Sequence, residues 1–407
     1  MKKILKLLLV LSILMLSLGS LIACGGDNPD SDDGASTTPP TERVNQIEST
    51  VSGGEVTVTG IRLVYQPDVV IPDTIDGLPV TKIAAQAFDA AQRASYDKIT
   101  SVKLGANVKE IGEKAFYNCS KLTTITTGTE ITKIGKSAFE NCTSLTSFTL
   151  SGKVTDIDDR TFAGCKSLAG IDLTGVTAVK ENAFSNCGQT VGKFDVIGTA
   201  DLTLISDYAF KYCALENIVL GNKLNKIGLY AFQNSSITTV TLPDSLTELS
   251  TSAFANCAKL KSVTFGNGIT TVKTQTFKSC ASLKTVNFSS TIKTIDTEAF
   301  ANCGFENLTI PGTISRIESK AFIGCYGIEI LTIKNGVKYI GAHAFGDGTT
   351  SEDTVQFIKR LNLENAGNWT YSGTTDEPAG GLTEEELGSP TTIAFAFWTR
   401  RDRTWTK

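Results

Sequence analysis

His343 is the single histidine of this 407-residue chain, so a Ser-His-Asp or Cys-His site would have to be built on it, and no Gly-x-Ser-x-Gly elbow accompanies it. It stands two residues before a Phe, where comparable stretches carry Lys114, Arg160, Tyr208, Tyr230, Glu298 or Lys320, and it is expected to be an exposed variable residue. Asp156, Asp158 and Asp159 form one acidic cluster and Glu384-Glu385-Glu386 another. A calcium loop needs a Gly at its turn and a bidentate ligand at fixed distance. Neither run supplies them, so both read as solvated faces. Zinc would want Cys-x2-Cys pairs, and a phosphate would want a Gly-rich loop; neither occurs. The expectation is a chain that is not an enzyme and takes no metal and no cofactor.

Ten cysteines remain to be explained, and nine obey one rule. Cys119, Cys142, Cys165, Cys187, Cys213, Cys257, Cys280, Cys303 and Cys325 each follow a Phe by three residues. Five of them are preceded by Asn, at Asn118, Asn141, Asn186, Asn256 and Asn302, and where the column lapses the residues are small, Ala91, Ser235 and Gly348. The rule belongs to a larger repeat. Twelve times, from Ile83 to Phe345, an aliphatic residue is followed five positions later by Phe, with successive Phe residues mostly 22 or 23 apart. Eight positions before each Phe the residue is again Val, Ile or Leu. A unit this short buries its apolar face only against its neighbours, so the product is a solenoid. In such a stack the cysteines are buried thiols filling one turn column, with disulfides between adjacent coils as the alternative.

After the Cys position come apolar pairs in alternation, such as Phe148 and Leu150, Val240 and Leu242, Leu308 and Ile310. Period two over so few residues marks a strand with one buried face. The stretch around Ala-Phe is too short for a long helix and is read as a helical or 3-10 turn. Each unit is then one strand and one short return, and the stacked coils make a parallel sheet. Two longer steps, of 28 residues between Phe88 and Phe116 and 26 between Phe184 and Phe210, place loops at Asp89 to Asp97 and Gly188 to Lys193. Length drift or binding would account for them.

Both ends differ from the array. Residues 1–23 combine Lys2, Lys3 and Lys6 with an apolar run, Leu7 to Leu21, too short for a membrane span. Leu21-Ile22-Ala23-Cys24 resembles the lipobox of bacterial lipoproteins, in which the Cys is acylated and becomes the mature N-terminus. Residues 24–43 are a disordered tether by composition, and 44–79 form an N-terminal cap leading into the first repeat. The array occupies 80–350. Residues 351–407 hold all three tryptophans, Trp369, Trp398 and Trp405. They read as a cap over the last coil, or as an aromatic platform for sugars or a docking tail with Arg400, Arg401 and Arg403. Removal of 1–23 leaves 35 Lys+Arg against 42 Asp+Glu, a net charge of −7, which disfavours nucleic acid as a partner.

One column faces outward between the two buried residues of the alternating pairs: Thr126, Thr149, Thr241, Thr264, Thr309 and Thr332, with Asp172, Val219 and Asn287 in equivalent places. Thr suits an exposed strand position by propensity alone. The functional alternative is a flat hydroxyl array contacting a partner protein, a polysaccharide or ice.

The phrase Val108-Lys109-Glu110-Ile111-Gly112-Glu113-Lys114-Ala115-Phe116-Tyr117-Asn118-Cys119-Ser120-Lys121-Leu122 resembles the BspA-like leucine-rich repeat family. Val69-Val70-Ile71-Pro72 with Gly77 to Ile83 looks like that family's first repeat, and the resemblance covers about residues 56–346. It implies an α/β-type leucine-rich repeat solenoid, right-handed, with short strands, a parallel sheet on one face and a cap at each end. It also implies a surface protein of anaerobic bacteria, in some members an adhesin; with the lipobox resemblance at Cys24 the expectation is a protein lipid-anchored at the cell surface or outer membrane that touches the membrane only through that anchor. Partners would be extracellular-matrix or other surface proteins, or glycans. A structural envelope component or periplasmic scaffold is the alternative role. The family brings no catalytic residues.

Overall fold

An apolar residue flanked by two polar ones can bury only its own side chain when the chain is extended, and this is how each repeat enters its sheet. In the computed structural model, residues 45–62, 64–346, 360–364, 370–371, 380–381 and 404–406 are described. The outward strands stack in parallel register, in four short sheets along the array. Asp68–Val70 pairs with Ser101–Lys103 and that with Thr124–Thr126; further along, Thr239–Thr241 pairs with Ser262–Thr264 and that with Thr285–Asn287. Gly170–Asp172 pairs with Asp195–Ile197 between them. Asn307–Ile310, Ile330–Ile333 and Arg360–Leu363 form a further parallel sheet that runs past residue 350.

A second parallel ladder runs beside the first. It is built from two-residue strands such as Glu110–Ile111, Lys133–Ile134, Lys226–Ile227 and Glu248–Leu249. The buried member of each is the aliphatic residue five before Phe, so this conserved spacing within the chain is a strand register, not only a core position.

The Ala-Phe segment is a chain of turns tied to the next coil. Lys114, Phe116 and Asn118 donate their N–H groups to the carbonyls of Lys136, Ala138 and Glu140, at 2.9, 2.8 and 2.9 Å. The intervening N–H groups of Ala115, Tyr117 and Cys119 close turns onto Gly112, Lys114 and Phe116 of their own coil. Alternation of this kind places residues in the left-handed region. The residue two before every repeat Phe has positive φ, from Gln86 at 58° to His343 at 56°. So does the residue two after it from Asn118 to Gly324. Asn and Gly tolerate that backbone best, which is the physical reason Asn precedes so many of the cysteines. The two 3-10 pieces, Ala94–Lys98 and Thr199–Asp201, fall in the two long steps.

Those long steps are packed against the core. Tyr96 is buried, its hydroxyl accepting from Ile61 N and donating to Ile61 O at 3.1 Å, with its ring 5.6 Å from Phe88. Phe194, just after the second loop segment, is buried 5.6 Å from Phe184. Both insertions thus carry an aromatic plug that fills space the longer step opens.

The twelve repeat phenylalanines form one unbroken column of parallel rings. Centroid spacings run from 4.9 Å for Phe232–Phe254 to 5.5 Å for Phe162–Phe184, with neighbouring planes within 9°. Phe265 and Phe288 strike the column edge-on from the strand side. Burial of one such ring stabilises by about 1.5–3 kcal/mol.

Antiparallel strands extend the second ladder at each end. Ile47–Ser52 and Glu55–Ile61 form an antiparallel hairpin turning through Gly53 and Gly54, at φ 61° and 80°. Its second strand joins Leu78–Ile83 in parallel. At the far end Trp405–Thr406 pairs antiparallel with Tyr339–Ile340, the last rung of the second ladder.

Candidate binding face

In most three-residue outward strands the central residue is buried and both neighbours face out, as in Thr124-Ile125-Thr126 and Thr239-Val240-Thr241. The face is therefore two columns wide. Thr126, Thr149, Thr241 and Thr309 are exposed, and Thr264 and Thr332 half-buried. Beside them lies a second column, with Thr124, Thr239, Ser262 and Thr285, that the alternating-pair reading of the sequence passes over.

Register aligns the first column across coils: Thr241 opposite Thr264 opposite Asn287, and Thr309 opposite Thr332 opposite Asn362. Each asparagine donates its amide to the threonine before it, Asn287 Nδ2 to Thr264 Oγ1 at 3.0 Å and Asn362 Nδ2 to Thr332 Oγ1 at 3.1 Å. Thr149 lies outside a regular strand, and its carbonyl accepts from the Thr127 hydroxyl at 3.2 Å. At the centre of the array the column changes character. Asp172 is paired in register with Ile197, which is 60% exposed, and Val219 is 81% exposed. Lys103 and Val70 occupy the same column near the N-terminal end. Ile197 and Lys103 stand 13 residues before the next repeat Phe, as Thr241 does, but farther than usual after the preceding one; with Val70, which lies ahead of the first repeat Phe, they escape the sequence reading.

Hydroxyls and amides on this face donate and accept without titrating. Neighbouring rungs lie about 4.8 Å apart and same-side residues within a strand about 6.8 Å apart. Such a lattice can meet main-chain amides or sugar hydroxyls over several coils at once.

The other sequence candidates lie elsewhere. His343 is half-buried at φ 56°, not a free surface position, because its column carries the left-handed turn residue of the coil. Lys180 neutralises the aspartate cluster, at 2.7 Å from Asp158 and 3.5 Å from Asp156, and Lys136 meets Asp159 at 2.8 Å. Hydrogen bonding to Asp158 holds the Lys180 ammonium above its usual range. Among the described residues no group of His, Cys, Asp and Glu is arranged to hold a metal.

All nine array cysteines are free and buried. Each thiol donates to the carbonyl of a Phe one coil earlier, for example Cys165 to Phe139 and Cys280 to Phe254, both at 3.2 Å. Burial pushes Cys119, Cys142, Cys165, Cys187, Cys280, Cys303 and Cys325 up, Cys325 to about 12, so these seven are poor nucleophiles at neutral pH. Trp405 is 1% exposed and belongs to the terminal cap, which removes its ring from the surface. Cys24, Trp369, Trp398, Glu384 to Glu386 and the arginines Arg400, Arg401 and Arg403 lie outside the described residues.

A leucine-rich repeat protein from Bacteroides ovatus is 25% identical, covering 79% of this chain and 99% of its own, with a TM-score of 0.48. A leucine rich cell surface protein from Faecalibacterium prausnitzii is 25% identical, covering 84% of this chain and 97% of its own, with a TM-score of 0.49. No curated protein matches the chain. The family model of the BspA type leucine rich repeat region matches in six copies, over residues 69–191, 203–329 and 293–376. Those segments contain the stacked phenylalanines from Phe88 to Phe345, the cysteine column and most of both ladders, and the chain belongs to the BspA-type leucine-rich repeat family.

Proposed function

We propose that this is a lipid-anchored protein of the bacterial cell surface that binds partner proteins, or glycans, through the strand face, as an adhesin for extracellular matrix or other cells. The observation that carries the reading is the outward column itself. Uncharged Thr and Asn side chains stand in register on successive coils, and the exposed Ile197 and Val219 interrupt them near the middle. An apolar centre within a polar surround is the ordinary anatomy of a recognition surface. A binding role is further supported by the chemistry of the array, where the thiols are buried donors and the acidic cluster is paired with lysines.

Anchoring rests on Lys2, Lys3, Lys6 and the Leu21-Ile22-Ala23-Cys24 sequence. Two or more acyl chains hold a protein stably at a bilayer, at about 0.8 kcal/mol per buried methylene. A tether of about twenty residues gives a mean reach of roughly 25 Å. Protease shaving of intact cells tests display: loss of the array from the cells supports it, whereas survival of the array would place the protein inside the envelope. Binding is tested with a panel of matrix proteins and glycans, and silence across the panel would favour a structural envelope role.

A further inference from the structure

The two ladders begin differently. Ahead of Asp68–Val70 the edge is covered by Asn45: its Oδ1 accepts from Tyr65 N and Gln66 N at 2.8 and 3.0 Å, and its Nδ2 donates to Gln66 O and Asp68 O at 2.9 and 3.2 Å. The other ladder starts at Ile47–Ser52, which pairs with Glu55–Ile61 on one side and with nothing among the described residues on the other. In a hairpin with a two-residue turn the closing pair is hydrogen-bonded, and the pairs alternate from there. Here that pair is Ser52 and Glu55, so Ser52 and Thr50 spend their backbone groups inside the hairpin, and Ser49 and Val51 turn theirs outward. Among the described residues, no bond beyond the hairpin involves the N–H or C=O of Ser49 or Val51.

Open edges are normally blunted by Lys, Pro or a bulge. Ser49-Thr50-Val51-Ser52 has no charge and no proline, and the one register shift of the hairpin lies before Ser49. Glu48, the only charged residue of the strand, is held by Arg93 at 3.6 Å. All four residues are exposed, Val51 by 60% although it stands opposite the buried Val56. The chain's own residues 24–44 are a poor strand for this edge, because Asp27, Asp30, Asp32 and Asp33 with Pro29, Pro39 and Pro40 disfavour a ladder. A second copy of residues 49–52 carries none of these.

We infer that this edge receives the same strand of a second copy of this chain, antiparallel about a two-fold axis at Thr50. With Thr50 opposite itself, Ser49 of each copy faces Val51 of the other, and all the outward N–H and C=O groups of the two strands close hydrogen bonds. A register centred on Val51 would set Ser49 against Gly53 of the turn and leave half of them open. The same patch serves both copies, so the contact closes at a dimer. It is one strand long and therefore weak, with a dissociation constant on the order of 0.1 mM. The edge does not use the threonine columns, so the two surfaces can fail independently.

The test uses the full-length chain in mild detergent, with sedimentation equilibrium over a concentration series. The wild type should pass from monomer to dimer as it is concentrated. Val51→Pro removes an outward N–H that the hairpin does not use, and Ser49→Lys sets a charge on the edge. Each should weaken dimerisation at least about tenfold, with the thermal midpoint by circular dichroism held. Thr50→Cys should give a covalent dimer on oxidation beyond any that the wild type forms through Cys24, since residues facing across such an axis have Cα atoms about 4.5 Å apart. Ser52→Cys should not, because in this register its two copies lie roughly 13 Å apart. A wild type still monomeric at about 1 mM, undiminished dimerisation in a folded Val51→Pro or Ser49→Lys variant, or equal cross-linking through Ser52→Cys would overturn the inference. Slow hydrogen exchange at the Ser49 and Val51 amides of the monomer would do so too, as the sign of a segment of the same chain seated there.

Discussion

The Cys142 thiol donates to the carbonyl oxygen of Phe116, 3.1 Å away in the preceding coil. That oxygen also accepts the N–H of Cys119 within its own coil. A small side chain with a weak donor thus satisfies a buried acceptor without the desolvation cost of a hydroxyl. Cys142→Ala loses a buried sulfur and one of two donors, and should destabilise by about 1–2 kcal/mol in urea unfolding. The array thiols should react with a disulfide reagent only as fast as the protein unfolds. Rapid labelling of several thiols in the native protein would contradict their burial.

Asn256 has φ 59° and gives its N–H to Lys278 O in the next coil at 2.7 Å. Neither feature requires its side chain, so Asn256→Gly should be close to neutral. Asn256→Ala should lose about 0.5–1 kcal/mol, because Cβ disfavours the left-handed region and Ala lacks the local compensation of Asn. Urea midpoints of the two variants check this: equal midpoints would show that the left-handed turn is not what selects Asn.

Opposite pH dependences are expected from two nearby carboxylates. Lys278 Nζ at 2.5 Å and Gln275 Nε2 at 2.8 Å donate to Glu298 and hold its carboxyl below the usual range. Its stabilisation is present above the unfolded value of about 4.3 and is lost as pH falls through the depressed folded value. Burial, with Glu318 nearby, pushes Asp296 up. Its contribution is present below the unfolded value of about 3.9 and is lost as pH rises through the raised folded value. Glu298→Gln should lower stability at pH 7 and flatten the acid limb, whereas Asp296→Asn should raise stability at pH 7. Shifts of the same sign at pH 7 would contradict the assignment.

Phe232 stacks on Phe210 at 5.4 Å and on Phe254 at 4.9 Å. Phe232→Ala should cost about 3–5 kcal/mol. In a one-dimensional array the loss is felt by adjacent coils first, so unfolding should split into two transitions. A single transition at the wild-type midpoint would show that the column is not continuous in solution.

The solenoid was legible because Phe88 through Phe345 repeat at a spacing that no single globular core would require. The cysteine column was legible for the same reason. Its cause was not: the hydrogen bond from Cys142 to Phe116 and the positive φ of Asn118 exist only once coils are stacked. The second ladder was hidden because strands of two residues, such as Lys133–Ile134, have no period to display. Tyr96 looked like part of a surface loop, and only its contact with Ile61, far away in sequence, makes it a plug. On the binding face, Thr241 and Thr264 stood out by type and regular spacing. Ile197 did not, since it is not a threonine and the 26-residue step puts it 13 residues after Phe184, where Thr241 stands nine after Phe232.

The central claim is that the outward strand face makes the contact, and a paired binding measurement tests it most directly. Wild-type protein and a Thr241→Lys, Thr264→Lys variant are presented to the same panel of matrix proteins and glycans, with thermal midpoints confirming that both are folded. The account predicts at least one ligand held by the wild type and bound about tenfold or more weakly by the variant, as expected when two unpaired charges are forced into an interface. A ligand bound equally by both proteins would contradict it.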